Sequence, residues 1–327
     1  MDFLPTDEQN AFVSATADFL NKQVPKPLAE LAESGTPPNL IAAGGELGWF
    51  GLGVAADDGG IGGSVVDELL LFRELGRSLA PGPLLGTLLA ARVAVAAGDA
   101  ALASALINGE RAAALALSGS TDAPVTVFDH EPADLVLVVG DERAELFAKP
   151  DRLDETECID ELTSMARCSL AGPALASAPA EPIRDLGWVL LSAQLAGIAE
   201  ATRDATVSHL LTREQFGVLL GTFQGLKHRA ADMAVNAEAA FALTSYAGLA
   251  LSEDEPHARF YVMSARAFSS QAAVDNSSAN IHLHGAMGIT FEHDAHFYLK
   301  RAHVLNRLLG GPRQPLRELI AEGSPLT

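Results

Sequence analysis

The sequence predicts an α+β protein built in three parts. Its composition is rich in alanine and leucine, with 48% apolar and only 6% aromatic residues, and this favours helix over strand. From about residue 109 to 182, short apolar runs separated by turn residues replace the helical spacing, which then returns. We therefore expect an N-terminal α-helical domain over 1–108, a small middle β domain over 109–182 and a C-terminal four-helix bundle over 183–327.

The N-terminal part is predicted to consist of helices joined by short loops. Thr6 followed by Gln9 forms a capping-box start, and Pro25 and Pro27 end the helix that begins there. Glycines crowd the segment Asp57–Gly63; because no strand precedes it, we interpret it as a structural turn in preference to a phosphate-binding loop. Further helices are expected over Leu40–Leu47, Val65–Leu79 and Leu84–Ala97.

The middle part is predicted to form five or six short strands. The segment 174–182 that follows them is rich in alanine and proline, and we expect it to be a linker. The clearest strand runs are Ala112–Leu117, Val125–Phe128, Leu135–Val139 and Ala144–Ala148.

The C-terminal part carries long amphipathic segments, which are typical of an antiparallel bundle. The four predicted helices cover Leu186–Leu211, Phe223–Leu251, Ala258–Leu283 and Asp294–Leu309.

Charge and cysteine usage limit the classes of partner and compartment. The formal net charge is −20, from 42 acidic and 22 basic side chains, so we expect neither nucleic acid nor an anionic membrane as a partner. Cys158 and Cys168 form no metal-binding pattern and are expected to be free thiols. The sequence shows neither a signal peptide nor a membrane-spanning run, and we expect a cytoplasmic protein.

The most informative motif is Arg213-Glu-Gln-Phe216-Gly, followed by Gln224, between two predicted helices. Arginine offers a planar fork of donors that suits a phosphate, Phe216 an apolar face and Gln224 an amide. Together these side chains are suited to gripping a nucleotide cofactor. The alternative is a solvated arginine paired with Glu214 or Glu200.

Three motifs, in order along the chain, resemble the acyl-CoA dehydrogenase family. Glu46–Gly63 is similar to the family pattern "lGw.gl..pe..GG.G", and Arg213–Met233 is similar to "R.QFG......Q......adM". Ile281–Glu292 resembles "iQ.hGg.G.t.E". The resemblance covers most of the chain and implies the same order of domains, an FAD cofactor and an acyl-CoA substrate.

The resemblance also implies roles for particular residues. Arg213, Phe216 and Gln224 match family residues that contact the FAD bound by the neighbouring subunit: Arg213 at the diphosphate, the other two at the adenosine and phosphate end. The loop that contains His282, Gly285 and Gly288 matches a further segment near an FAD. His282 stands where the family usually has glutamine, so one hydrogen-bonding group is lost.

The carboxylate that removes the α-proton of the substrate is missing from both positions where the family places it. One position corresponds to Gly187, and the other to Leu309 or Gly310. The middle domain is also shortened: the family's flavin-holding "TEp..GSD" segment has no counterpart in 114–122, and few residues separate Phe128 from Asp134. We therefore predict no catalytic residue in this chain.

This combination resembles the non-catalytic partner subunits of actinobacterial α2β2 heterotetrameric acyl-CoA dehydrogenases, which act on bulky thioesters such as steroid side-chain CoA. We expect FAD to be shared with a homologous subunit that carries the catalytic glutamate. Two alternatives remain open: a self-sufficient homomeric enzyme whose base is relocated, with Asp185 and Glu292 as the nearest carboxylates, and a non-enzymatic scaffold.

Histidines cluster near the C-terminal motif. His282 and His284 are two residues apart, and His293 and His296 are three apart, a spacing that can place two imidazoles on one helix face. No further carboxylate or cysteine ligand follows at a typical spacing. The family loop already explains this region, so we predict no metal site.

Overall fold

A computed structural model describes residues 5–117, 124–311 and 313–322. It has the predicted α+β class, with helices first, a β-sheet region next and a helical C-terminal region last. The predicted turn at 119–122 lies outside the described residues.

The described part of the N-terminal region contains six α-helices. The first begins at the predicted capping box, in which Thr6 and Gln9 exchange hydrogen bonds. The second begins directly after Pro27 and was missed, as was the sixth; the glycine-rich segment is a turn in which Gly59 and Gly62 have positive φ angles. The helices are α1 (Asp7–Gln23), α2 (Leu28–Ser34), α3 (Leu40–Glu46), α4 (Val65–Ser78), α5 (Leu84–Ala96) and α6 (Ala100–Ile107).

In the middle region, the residues that the structure describes form one sheet of seven strands, one or two more than the sequence predicts. The strands are β1 (Ala113–Ala116), β2 (Val125–Phe128), β3 (Leu135–Val139), β4 (Arg143–Ala148), β5 (Asp154–Glu155), β6 (Met165–Cys168) and β7 (Ala176–Pro179). Their order across the sheet is β5-β6-β2-β1-β3-β4-β7; β1 and β3 are parallel, and the other pairs are antiparallel.

The expected linker over 174–182 is wrong. β7 pairs with β4 over part of this segment, and the following helix α7 (Ala180–Thr212) begins immediately after it. Proline is compatible with both elements here: Pro179 is the N-cap, and Pro182 lies in the first helical turn, where backbone N–H groups have no intrahelical partner. The alanine- and proline-rich composition therefore marks an edge strand and a helix start.

The C-terminal region contains the remaining helices, α8 (Gln224–Ser252), α9 (Ala258–His284), α10 (Ala295–Leu305) and α11 (Arg313–Glu322). A short hairpin of strands β8 (Glu214–Gln215) and β9 (Val218–Leu219) joins α7 to α8. The predicted fourth helix is shorter than expected: α10 ends at Leu305, and Leu309 lies in a separate helical turn, where it adopts a left-handed conformation with φ 53°.

The long helices pack side by side: α7 contacts both α8 and α9, and α4 of the N-terminal region lies along α7. Trp188 and Leu190 on α7 are fully buried in the core that these regions share. None of the helices among the described residues is long and apolar enough to span a membrane.

Candidate functional site

The Arg213–Gln224 motif forms the connection between α7 and α8 at one end of the bundle. Arg213 caps α7 by donating its backbone N–H to His209, and its carbonyl accepts the N–H of Leu220, which closes the hairpin. Phe216 and Gly217 form the two-residue turn, and both have positive φ angles, as type I′ hairpin turns require. The sequence motif therefore encodes a rigid tight turn.

Phe216 is held at the tip of this hairpin in an unusual state. It is 91% exposed, and its φ angle of 56° is uncommon for a bulky residue. Its ring contacts Phe223 edge-on, with 6.2 Å between centroids. An apolar ring presented to solvent in a strained conformation is typical of a position selected for contact with another molecule.

The alternative partners of Arg213 are not paired with it. Glu200 accepts ion pairs from Arg73 and Arg77, each at 2.8 Å. Among the described residues, no carboxylate forms an ion pair with Arg213, and its side chain is exposed. The guanidinium is therefore available to an anion from outside the chain.

The other predicted residues lie at the same end of the bundle. Gln224 is the first residue of α8, and its side-chain amide lies 2.9 Å from the ring of His228. His282 is exposed near the end of α9 and borders a cleft of about 440 Å³ together with Arg229 and Asp232 of α8. Arg213, Gln224 and His282 thus all lie at the end of the bundle where α7 and α9 end and α8 begins.

The two predicted glycines lie where α9 ends. Gly285 has a φ angle of 64° and is exposed, so it turns the chain out of the helix. Gly288 is buried, and a Cβ there would lie 2.5 Å from the carbonyl oxygen of Ile281. The requirement for glycine at 288 comes from packing within the loop itself.

A row of three histidine rings in contact lies beside Arg213, and the sequence did not predict it. His284 lies between His209 and His293, with ring centroids 4.2 and 4.6 Å apart. Burial, Arg213 and His293 lower the pKa of His209; burial, with His209 and His293, lowers the pKa of His284. The sequence signal that could have indicated this contact is His209, which lies one helical turn before Arg213.

No metal centre accompanies these histidines in the described part of the chain, where no cluster of three or more histidine, cysteine or acidic side chains has metal-holding geometry. His293 and His296 do not share a helix face, because His293 precedes α10 and accepts the N–H of Ala295.

The two positions where the resemblance places a catalytic carboxylate meet inside the protein. A Cβ on Gly187 would lie 2.3 Å from Leu309 Cδ1 and 3.2 Å from Leu89 Cδ1. The indole of Trp188, which is fully buried, donates to the carbonyl of Leu309 at 2.9 Å. Leucine side chains therefore fill the space into which a side chain at 187 would project.

The second position disfavours a side chain mainly through its backbone conformation, since Gly310 itself is exposed and borders an open cleft. A Cβ on Gly310 would lie 1.5 Å from the side-chain oxygen of Gln314, and Gly310 has a φ angle of 92°. Of the two alternative bases, Glu292 is exposed, whereas Asp185 is buried on α7 and lies 3.7 Å from Arg259. Burial raises the pKa of Asp185 to about 7 despite the nearby arginine.

Comparison with known proteins identifies the family to which the chain is similar. Residues 6–109 match the model of the acyl-CoA dehydrogenase N-terminal domain, and residues 186–324 match that of the C-terminal domain. The chain is 35% identical to the acyl-CoA dehydrogenase IpdE2 of Mycobacterium tuberculosis, over 85% of this chain and 84% of that protein. It is also 35% identical to the acyl-CoA dehydrogenase FadE34 of M. tuberculosis, over 84% of this chain but only 40% of that protein.

A solved structure supports the same fold. The ChsE4–ChsE5 complex of M. tuberculosis contains a chain that superposes with a TM-score of 0.86 at 21% identity, covering 99% of this chain and 100% of that one. On the two domain models and the identity to IpdE2, the chain belongs to the acyl-CoA dehydrogenase family.

Proposed function

We propose that this chain is the non-catalytic subunit of a heteromeric, FAD-dependent acyl-CoA dehydrogenase. The observation that carries the proposal is a difference in exposure between the two ends of α7. Past the end of α7, Arg213 and Phe216 are exposed and available, whereas near its start Gly187 faces leucine side chains that leave no room for a catalytic carboxylate. The chain is thus suited to assist a flavin site and unsuited to supply its base.

The surface around the hairpin has the character of a subunit interface. Leu211 is 63% exposed and Val218 is 42% exposed, on either side of Phe216. Ile289 and Phe291, in the loop after α9, are also exposed. Clusters of exposed apolar side chains are rare on monomeric proteins and are typical of association sites. The partner we propose is a homologous acyl-CoA dehydrogenase subunit that carries the catalytic glutamate.

Each predicted residue has a role at the shared cofactor. Arg213 donates hydrogen bonds to the diphosphate of FAD, and Phe216 and Gln224 contact its adenosine and phosphate end. His282 donates a single hydrogen bond from the loop that Gly285 and Gly288 shape. FAD held there would supply the acceptor for the hydride that leaves the β-carbon of the acyl thioester, and the α-proton would pass to a carboxylate of the partner subunit. The isolated chain is therefore expected to be inactive.

The proposed reaction is the α,β-desaturation of an acyl-CoA thioester in the cytoplasm. A steroid side-chain thioester is the substrate type that we favour, by similarity to the heterotetrameric partner subunits. The similarity in fold to a chain of a two-protein complex, ChsE4–ChsE5, supports a heteromeric assembly.

Asp185 supports a second candidate, a homomeric enzyme with a relocated base. It is buried, and its pKa of about 7 is suited to general base catalysis near neutral pH. Its ion-pair partner Arg259 and the neighbouring Glu181 and Glu318 place it in a charged cluster on the surface of α7 that faces α9 and α11. Asp185 lies two residues before Gly187, so it projects from a different face of the helix.

The discriminating experiment measures flavin content and turnover with and without the partner. The chain is purified alone and after co-expression with a homologous subunit, and visible spectra and acyl-CoA oxidation are recorded. We expect flavin and activity only in the complex. Flavin-dependent turnover by the isolated chain that Asp185→Asn abolishes would instead establish the homomeric enzyme.

The role of Arg213 is tested in the same complex. Arg213→Ala removes the charge-assisted bonds to the diphosphate, and we expect FAD to bind about tenfold more weakly or worse. Arg203→Ala, on the same helix but paired with Asp204, is the matched control and should retain the flavin. Unchanged flavin affinity in Arg213→Ala, with the complex intact, would contradict the proposed role.

A further inference from the structure

The three contacting histidine rings beside Arg213 are titratable groups to which the proposed function assigns no role. His209, His284 and His293 together form what we call the histidine row. They come from three places in the chain: the last turn of α7, the last residue of α9 and the loop before α10. All three side chains are half-buried, so protons from solvent can reach them.

The hydrogen bonds of the row leave ring nitrogens that can take up a proton. Nδ1 of His284 lies 2.8 Å from the carbonyl oxygen of Asn280 and therefore carries a hydrogen, because a carbonyl only accepts. Nδ1 of His293 accepts the backbone N–H of Ala295 at 3.1 Å. Among the described residues, no group forms a hydrogen bond with Nε2 of His284 or with the ring of His209. A proton added to either ring therefore breaks no hydrogen bond of the fold.

The surroundings of the row keep its rings neutral at neutral pH. Burial lowers the pKa of His209, and the positive charge of Arg213 lowers it further. Burial also lowers the pKa of His284, and the hydrogen bond to Asn280 offsets this only in part. Arg213 is therefore the permanent positive charge beside the row, and the rings become cations only when a negative charge arrives.

The chain does not supply that negative charge from its neighbouring carboxylates. Asp294 accepts the backbone N–H of Leu28 at 2.6 Å and lies 3.8 Å from Lys26. Glu214 and Glu292 are exposed, and within the described part of the chain no ion pair joins either of them to the row.

The other titratable groups at this end of the bundle also make their contacts elsewhere. On α8, His228 lies 2.9 Å from the side chain of Gln224, and on α10, His296 lies 3.3 Å from the carbonyl oxygen of Phe291. His282 is exposed and borders the cleft on α8. The row thus has Arg213 as its charged neighbour and no internal counter-ion.

We propose that the histidine row takes up a proton from solvent when the diphosphate of FAD binds at Arg213. This inference rests on the proposed function, in which Arg213 holds that diphosphate. A diphosphate carries more than one negative charge, and the guanidinium of Arg213 supplies a single positive one. The remaining negative charge stabilises a protonated imidazole beside it, which opposes the effects of burial and of Arg213. The proton is held on Nε2 of His284 or on the ring of His209.

Proton uptake makes the affinity for FAD depend on pH, with a sign that linkage fixes. Because the bound state holds more protons than the free state, binding is tighter at low pH. We expect FAD to bind about fivefold more tightly at pH 6 than at pH 8. Arg213 keeps its charge throughout this range, so it contributes affinity without this pH dependence.

The test titrates FAD into the flavin-free complex of this chain with its partner subunit. Calorimetry at pH 6 and pH 8 gives the affinities, and calorimetry at pH 7 in two buffers of different ionisation enthalpy gives the protons taken up. We expect net proton uptake, which the double variant His209→Gln with His284→Gln removes together with the pH dependence. Glutamine does not titrate, but its amide can still donate to the carbonyl of Asn280. The matched control is His257→Gln, an exposed histidine at the start of α9, which should retain both effects.

Absence of proton uptake, or equal uptake in the double variant, would overturn the inference. If Arg213→Ala still weakens FAD binding in that case, the proposed function stands and only the role of the row is lost. A complex that binds no FAD, or whose FAD affinity is unchanged in Arg213→Ala, overturns both. If the double variant does not assemble, the single variants decide: lower proton uptake in at least one of them supports the inference, and unchanged uptake in both overturns it.

Discussion

The two ends of α7 are built in opposite ways. Near its start, Gly187 and Trp188 are buried against Leu89 and Leu309 with no space for another side chain. Past its end, every residue from 211 to 219 is exposed, including Arg213 and the apolar ring of Phe216. One end is complete within the chain, and the other presents binding groups that the chain does not use.

This difference between the two ends is the one that the proposed partner role requires. Filling the interior stabilises the chain, because buried apolar groups contribute roughly 25 cal/mol per Å² removed from water. Leaving Phe216 exposed in a left-handed conformation gives no such gain. The proposed partner role accounts for this exposed ring by contacts outside the chain.

The largest expected effect on stability comes from placing a carboxylate near the start of α7, where leucine side chains fill the interior. In Gly187→Glu, the new side chain collides with Leu309 and Leu89 and buries a charge, so we expect a loss of about 3 kcal/mol or more in unfolding free energy. Denaturant unfolding measures it. Gly225→Glu is the matched control, since a Cβ at that helical glycine meets nothing within 4 Å. Equal stability of the two variants would show that the interior has room for a base.

The second-largest expected effect is a pH dependence of the unfolding free energy, which comes from the histidines near the C-terminal end of α7. His209 and His284 have lowered pKa values in the folded protein, mainly because of burial, so the unfolded chain binds more protons below its ordinary histidine pKa of about 6.5. Their contribution to stability is complete above that pH and is lost as the pH falls through their lowered values. We expect His284→Gln to flatten the decline in unfolding free energy from pH 7 to 5. The exposed His257→Gln should keep the original slope, and an unchanged slope in His284→Gln would contradict the assignment.

Local sequence signals predicted the long helices, because capping and periodicity act over a few residues, but they missed the short helices α2, α6 and α11. The Thr6 capping box and the long helix α9 follow directly from such signals. The segment 174–182 failed because proline at a helix start and in an edge strand has the same composition as a linker.

The sequence did not predict which residues of the site contact one another in three dimensions. The absence of a base at Gly187 and at Leu309 could be read from the motifs, but their direct contact across 122 positions could not. The contact between the rings of His209 and His284 likewise depends on where two helices end relative to each other. Such contacts come from tertiary packing, which a single sequence does not encode in any local pattern.

The smallest expected effect on stability gives the most direct test of whether Phe216, past the end of α7, contacts the cofactor. Because Phe216 is 91% exposed, Phe216→Ala should change the unfolding free energy of the isolated chain by no more than about 0.5 kcal/mol. In the complex, the same change removes an aromatic contact to the nucleotide, and we expect roughly tenfold weaker FAD binding by fluorescence titration. Phe268→Ala, at a phenylalanine of α9 that is 38% exposed, is the control for loss of a ring elsewhere. If the variant is destabilised as an isolated chain but binds FAD normally in the complex, Phe216 stabilises the fold and does not contact the cofactor. The exposure of residues past the end of α7 would then not indicate a binding site.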